Sequence, residues 1–373
     1  MPQPLLSNST DPHPTRRDFL VTAAAASVSI GAAPFVHADD KSGNKTPVIG
    51  IDGHKYSCQH GWGAVPDHIR WFDTHGVAVD ESGLIYITHR APKGVDPVVV
   101  FEPSGKFVRS WGSEYSGGGH GIDIRKEGNE EFLYLSWNKP QSKVTKTTLT
   151  GENVWEMQQP VASGKYTDAS QFSPTNIAFA PDGGFYVADG YGANFIHQYN
   201  KDAKYLRTFG GTGTETGQFK MPHGLWLDNR PGREPLLVVA DRANARLQYF
   251  SLDGEPQPDK IVNNILSLPA HLDTRGTDLL VPDLHARVTI LDKDNQVLVH
   301  LGYDAEWTKQ VLDGFQMRLQ PTRWQAGRFI HPHDACFDAS GNIRPRVGQS
   351  LNRVYWPDAR VGNWLNVAAC FTI

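Results

Sequence analysis

Several features are scarce in this chain, and each scarcity narrows what it can be. Cysteine occurs three times in 373 residues, at Cys58, Cys336 and Cys370, so one disulfide is the most that can form and the fold cannot rest on a cysteine framework. Apolar residues almost nowhere recur at helical spacing, which leaves strands as the main element. Beyond the N-terminal region no apolar run is long enough to span a membrane. The formal net charge is −4, and no basic stripe of the kind that grips a phosphate backbone is present, so no nucleic-acid partner is expected. The glycine-rich segment 209–219 is followed by neither a helix nor a Gly-Lys-Ser/Thr, which argues against a phosphate-binding loop.

The first residues read as an address. Thr15, Arg16, Arg17, Asp18, Phe19 and Leu20 precede an apolar run to about Ala33, and Val36, His37 and Ala38 offer a small-x-small cleavage site before Asp39. This pattern predicts a twin-arginine export signal over residues 1–38, hence a periplasmic or extracellular protein with no membrane attachment once the signal is removed. Residues 39–69 are expected to be a flexible leader, with a strand near Val48–Ile49–Gly50–Ile51 that could complete the last repeat.

What is abundant is a repeated unit. A small or turn residue, usually a histidine, and then alternating apolar positions recur at His75, His120, Asn176, His223, His271 and His333, at spacings of roughly 45 to 62 residues, which signal a propeller or solenoid array. Within each unit the apolar period is two, as in Val77 and Val79 followed by Leu84 and Tyr86, a strand pattern. Six units of about four short strands predict an all-β, six-bladed β-propeller over residues 70–343, closed so that few sheet edges are exposed. The markers of a WD-dipeptide propeller are missing. After Ile343 the repeat stops: Arg344–Pro345–Arg346 stands where other units have an apolar second strand, and a proline cannot donate to a central ladder. Residues 344–373 are therefore expected to be an atypical tail.

Equivalent positions in the blades of a propeller converge on one end of its axis, so His75, His120, His223, His271 and His333 are expected to line the channel, with Asn176 in the remaining place. Neutral imidazole binds zinc and similar ions, and three protein ligands with one open position are what a catalytic zinc needs. An imidazole at the start of a strand can equally tie that strand to a backbone carbonyl.

Short motifs narrow the field. Pro174–Thr175–Asn176 with Val187–Ala188–Asp189–Gly190–Tyr191, Met221–Pro222–His223 with Val239–Ala240–Asp241–Arg242, and Pro332–His333–Asp334 resemble the lyase half of the peptidyl-glycine α-amidating enzymes, within the wider group of NHL-repeat propellers. The resemblance covers about residues 70 to 343. It implies zinc held by His75, His223 and His333, with His120 and His271 as further channel candidates. It also implies a structural calcium on Asp334 and the carbonyl of Val77, and catalytic roles for Tyr191 and Arg242; Arg90, which follows the second strand of its unit as Arg242 does, is a second carboxylate candidate. Such an enzyme releases glyoxylate and a peptide amide from a peptidyl-α-hydroxyglycine: the metal stabilises the developing alkoxide, Tyr191 takes the hydroxyl proton, and the arginines hold the carboxylate. The expected partner is a small-molecule or peptide substrate in the central channel of a monomer. Two alternatives stay open. One is a non-catalytic NHL propeller that binds a protein, peptide or glycan on its open face, with tryptophans such as Trp111, Trp137 and Trp226 as contact surface. The other is a lactonase-type propeller hydrolase, against which the histidine-dominated ring speaks.

Overall fold

The computed structural model describes residues 47–51, 53–59, 62–347 and 370–372. The expected export signal, the leader up to residue 46 and most of the tail beyond residue 347 lie outside the described residues. The described chain is an all-β propeller. Five of its sheets are contiguous in sequence. The first runs through Thr74–Val79, Ile85–His89, Val98–Phe101 and Phe107–Trp111, and the second through Gly119–Glu127, Glu130–Trp137, Lys143–Thr148 and Asn153–Met157. The third contains Asn176–Phe179, Phe185–Ala188, Phe195–Tyr199 and Tyr205–Gly210. Pro222–Asp228, Leu236–Asp241 and Arg246–Phe250 form the fourth; Asp273–Arg275, Asp278–Asp283, Arg287–Leu291 and Val297–Leu301 form the fifth.

Period-two alternation explains how these sheets stack. Ile85 and Ile87 point into one core and Tyr86 into the next, where it meets Leu133 and Leu135 of the second sheet. Tyr134 in turn packs with Ile177 and Val187, Tyr186 with Leu225 and Leu237, and Val238 with Leu272 and Leu279. Each second strand thus feeds the cores on both of its faces, so its residues are apolar on both sides.

The remaining sheet is assembled from both ends of the described chain, in the order Val48–Ile51, His54–Gln59, Cys370–Thr372, Ile343–Val347, Pro332–Phe337. The boundary expected at residue 344 falls inside a strand. Ile343–Val347 pairs with Pro332–Phe337 from Phe337↔Ile343 to Pro332↔Val347, and Arg344 forms an ion pair with Asp338 at 2.8 Å. On its other side, among the described residues, this strand pairs at Ile343, and Pro345 has a described ladder partner in Ala335 alone, a position proline tolerates.

The two ends of the propeller differ. At one end, tight turns join the strands, closed by side chains such as Asp80, Asn200, Ser251, Asp292 and Asp338 that accept from the turn's own amides. Gly83, Gly183 and Gly341 supply the left-handed residue there, at φ 88°, 88° and 85°. At the other end the connections are long, including residues 158–175, 211–221 and 302–331. The last holds the α-helix Ala305–Leu312, capped by Asp304 accepting from the Trp307 amide at 2.9 Å. That insertion accounts for the widest spacing in the repeat.

Candidate metal centre

The inner strands place their first residues at the long-loop end of the channel, and close backbone contacts fix which positions are equivalent. A Cβ on Gly76 would lie 2.7 Å from the His120 carbonyl oxygen, one on Gly121 2.5 Å from that of Thr175, and one on Gly224 2.7 Å from that of Ala270. Each glycine therefore nests on a residue at or just before the start of the next inner strand. The equivalent set is His75, His120, Thr175, His223, Ala270 and His333. Asn176 and His271 stand one residue further on, level with Gly76, Gly121, Gly224 and Asp334. This corrects the expected ring of five histidines and one asparagine: four histidines form an upper tier, and Asn176 and His271 belong to a lower one.

A backbone irregularity accompanies each upper-tier histidine. The strand register shifts between Thr74 and Val77, Gly119 and Ile122, Pro222 and Leu225, and Pro332 and Asp334. The inner strands Asn176–Phe179 and Asp273–Arg275 pair without a shift. A bulge re-aims a side chain out of the regular pleat, and here it coincides with the four imidazoles.

The four rings form one cluster. Centroids lie 4.7 Å apart for His75 and His120, 4.5 Å for His75 and His333, 4.9 Å for His120 and both His223 and His333, and 4.6 Å for His223 and His333. Potential ligand atoms of His75, His120 and His333 all lie within 4.8 Å of one another. The tethering is regular. His120 Nδ1–H donates to the Thr175 carbonyl at 2.7 Å, His223 Nδ1–H to that of Ala270 at 2.6 Å, and His333 Nδ1–H to that of His75 at 3.1 Å. Each bond crosses to the next sheet and fixes the tautomer that leaves Nε2 with its lone pair. The structural and the ligand role of a strand-start histidine are thus filled by the two nitrogens of one ring. His75 departs from the pattern: its Nδ1 is buried without a partner and the Gly119 backbone engages the ring.

Burial keeps the cluster neutral. It lowers His75, His223 and His333 well below the ordinary imidazole value, and His120 to about 3, with Arg242 and Arg90 adding repulsion. Neutral imidazoles are the ligating form. His333 Nε2 is buried with no hydrogen-bond partner, an orphan that a metal would satisfy. These donors fit zinc, and three of them could hold it.

Tyr191 and Arg242 come from the loops that follow the second strands of the third and fourth sheets. The Tyr191 hydroxyl lies 3.0 Å from His223 Nε2 and 3.3 Å from His120 Nε2. Arg242, only 8% exposed, contacts the Tyr191 hydroxyl and the Met221 sulfur, and among the described residues it pairs with no carboxylate. The fourth sheet's acid goes elsewhere: Asp241 accepts from Arg246 at 2.7 Å. Arg90 follows the second strand of the first sheet as Arg242 does in the fourth. It is exposed, and its side chain donates to the Gly117 carbonyl at 3.5 Å.

The lower tier contains two residues that the repeat did not flag, Asp123 and Asp273. They stand where two other inner strands carry Ala78 and Ala178, and an aspartate replacing an alanine in a buried strand was the signal available. Asp123 accepts from Asn176 Nδ2 at 2.8 Å, and Asn176 Oδ1 accepts from the Leu225 amide at 2.7 Å. Asp334 Oδ2 accepts from the Val77 amide at 2.8 Å and Oδ1 from the Ala335 amide at 2.7 Å, while His271 Nδ1 lies 2.6 Å from Oδ1. The calcium implied at Asp334 and the Val77 carbonyl does not fit this arrangement. That ion needs six to eight oxygens, and an imidazole nitrogen stands beside the Asp334 oxygen such an ion would use.

The fold and site define a β-propeller with an imidazole cluster at one end of its channel. No family model matches the chain, but it is similar to the peptidyl-α-hydroxyglycine α-amidating lyases. It is 25% identical over 272 residues to peptidyl-alpha-hydroxyglycine alpha-amidating lyase 1 of Drosophila melanogaster, covering 68% of this chain and 47% of that protein. It is 27% identical over 205 residues to lyase 2 of the same organism, covering 51% and 46%. With the mouse peptidyl-glycine alpha-amidating monooxygenase it shares 27% identity over 211 residues, 48% of this chain and 20% of that one. The chain thus spans between a fifth and about half the length of these relatives. Two solved structures share the fold: a streptogramin B lyase (12% identity, 78% and 95% coverage, TM-score 0.50) and virginiamycin B lyase from Staphylococcus aureus (13%, 78% and 96%, TM-score 0.51).

Proposed function

We propose that this protein is an exported, zinc-dependent lyase that acts on a small peptide-like substrate carrying a hydroxyl and a carboxylate on one carbon, and that releases glyoxylate. The observation that carries the reading is Arg242, a buried cation with no acidic partner among the described residues, beside Tyr191 and facing the histidine cluster. A buried guanidinium left unpaired is costly, and a substrate carboxylate is the complement that removes the cost. Arg90, placed alike on the first sheet, is the second carboxylate contact.

We assign the zinc to His120, His223 and His333. All three share the Nδ1 tether, which leaves Nε2 with its lone pair, and stand on alternate inner strands; His75, whose ligand atoms lie within 4.8 Å of those of His120 and His333, is the competing third ligand. This differs from the expected trio, in which His75 stood in place of His120. Zinc, when bound, supplies Lewis-acid stabilisation of negative charge on the substrate oxygen. The chain's own residues do the rest. Arg242 and Arg90 orient the carboxylate, and Tyr191 exchanges the proton of the substrate hydroxyl. The C–N bond breaks as the C=O bond forms, and the departing amide nitrogen takes up a proton.

The sheet assembled from both ends of the described chain acts, in this reading, as the sixth blade and closes the ring around the channel of a monomer. The twin-arginine pattern would deliver the folded protein to the periplasm or beyond.

The test is elemental analysis of the purified protein together with a glyoxylate-release assay on a peptidyl-α-hydroxyglycine. About one zinc per chain, with glyoxylate formed and lost on chelation, is the expected result. A folded protein that takes up no zinc and releases no glyoxylate would overturn the enzyme reading and leave a binding propeller.

A further inference from the structure

The lower tier of the channel is a second polar cluster that the proposed chemistry does not use. Its members are Asp123, Asn176, His271, Asp273 and Asp334, all buried. Three carboxylates on an apolar axis are costly unless something compensates them. A divalent cation is one answer, but every carboxylate here is already engaged. Asp273 accepts from the Thr274 amide at 2.7 Å and the Phe337 amide at 2.6 Å; Asp123 and Asp334 accept as described above. The centre of the tier is filled by His271, with Nδ1 2.6 Å from Asp334 Oδ1 and Nε2 3.9 Å from Asp123 Oδ1. Its ring lies edge-on to Trp226, at 6.4 Å between centroids, and the Trp226 indole donates to Thr274 at 3.1 Å.

We propose that His271 takes the place of a bound cation in the lower tier, so that the side chain itself bridges the carboxylates and this tier binds no calcium. The ring stands between a carboxylate of the second inner strand and one of the last as a charge partner to both, since neither nitrogen has the geometry of a hydrogen bond. The placement agrees with a counter-ion role: Asp334 lies 2.6 Å from one ring nitrogen and Asp123 3.9 Å from the other. A consequence for the upper tier follows from chain order: Asp334, pinned by His271 and by the Val77 amide, is the residue next to His333.

The experiment keeps zinc in all buffers and varies calcium alone, so its outcome does not depend on whether the chain is a lyase. Wild-type protein purified with calcium chloride and then desalted should hold no stoichiometric calcium by elemental analysis. Its melting temperature should not move when millimolar calcium chloride is added. The His271→Ala variant, with the carboxylates left uncompensated, should melt lower than wild type and recover by more than about 4 °C with calcium. Should that variant not fold, His271→Gln, which keeps the bulk, takes its place. One calcium per wild-type chain, or a calcium-dependent rise in the wild-type melting temperature, would overturn the proposal. So would a folded His271 variant that calcium leaves unchanged.

Discussion

The Tyr191 hydroxyl accepts a hydrogen bond from Arg242 Nη2 at 3.2 Å, and the guanidinium carbon of Arg242 stands 5.3 Å from the centre of the same ring. One cation therefore both orients the tyrosine and remains open to a ligand, since the Met221 sulfur is its only other side-chain contact given by the structure.

Arg242→Met should lower kcat/KM for a substrate with a free carboxylate by about 10- to 100-fold, the range for a charge-assisted hydrogen bond. A carboxamide analogue of the substrate should show little further loss. Steady-state kinetics with both substrates separate carboxylate binding from positioning of Tyr191: equal losses on the two would assign Arg242 to the tyrosine alone.

The four histidines should not be equivalent. His223→Ala and His333→Ala are expected to lower bound zinc well below one per chain, whereas His75→Ala should retain most of it. Zinc content of folded variants, checked by circular dichroism, decides this. Retention in His223→Ala with loss in His75→Ala would reassign the trio to His75, His120 and His333.

Gly121→Ala tests the joint between the second and third sheets. Its Cβ would sit 2.5 Å from the Thr175 carbonyl oxygen and 3.0 Å from the Asn176 Cα, both backbone atoms. Overpacking of this kind costs about 1 to 3 kcal/mol. Thermal melting should show the loss, and zinc affinity should fall with it, because His120 donates to the same carbonyl.

Acid should weaken the second sheet through Glu127. Partial burial raises this carboxyl, and hydrogen bonds from Lys146 at 2.7 Å, Tyr134 at 2.6 Å and Arg125 at 2.9 Å overrule it and hold it at about 2. The folded value lies below the unfolded one of about 4.3, so the contribution is complete at neutral pH and fades as pH falls from about 4 to about 2. Denaturation midpoints measured across that window should fall less steeply for Glu127→Gln than for wild type.

Arg230 offers a test far from the channel. Its side chain is fully buried, binds both oxygens of Asp228 at 2.8 Å, and donates to the Asp292 carbonyl and Asn295 Oδ1 at 2.7 Å, which joins the fourth sheet to the fifth. Arg230→Ala leaves Asp228 buried beside Arg233 alone, at 3.3 Å. The expected cost is about 3 to 5 kcal/mol, read as a lower urea midpoint.

The propeller was legible because alternation, turn chemistry and repeat length all report the same short-range geometry. The site was legible by residue type but not by register. Histidine drew the eye at 271 and asparagine at 176, yet the feature that sets the level in three inner strands is a glycine nested against the next, at Gly76, Gly121 and Gly224. The four bulges left no mark in a one-dimensional pattern, and neither did the choice of nitrogen on each ring, since both depend on contacts between sheets. Arg242 and Tyr191 were found through motif and not through physics. Their proximity follows from loops on different sheets and could not be read from spacing.

Three imidazoles at the hub are each hydrogen-bonded across a different joint of the ring: His120 to the third sheet, His223 to the fifth, His333 to the first. A slip at any of those joints turns a ring nitrogen, so the hub works as a strain gauge for the circumference. A spectroscopically visible ion placed there would report distortion at any of those three joints.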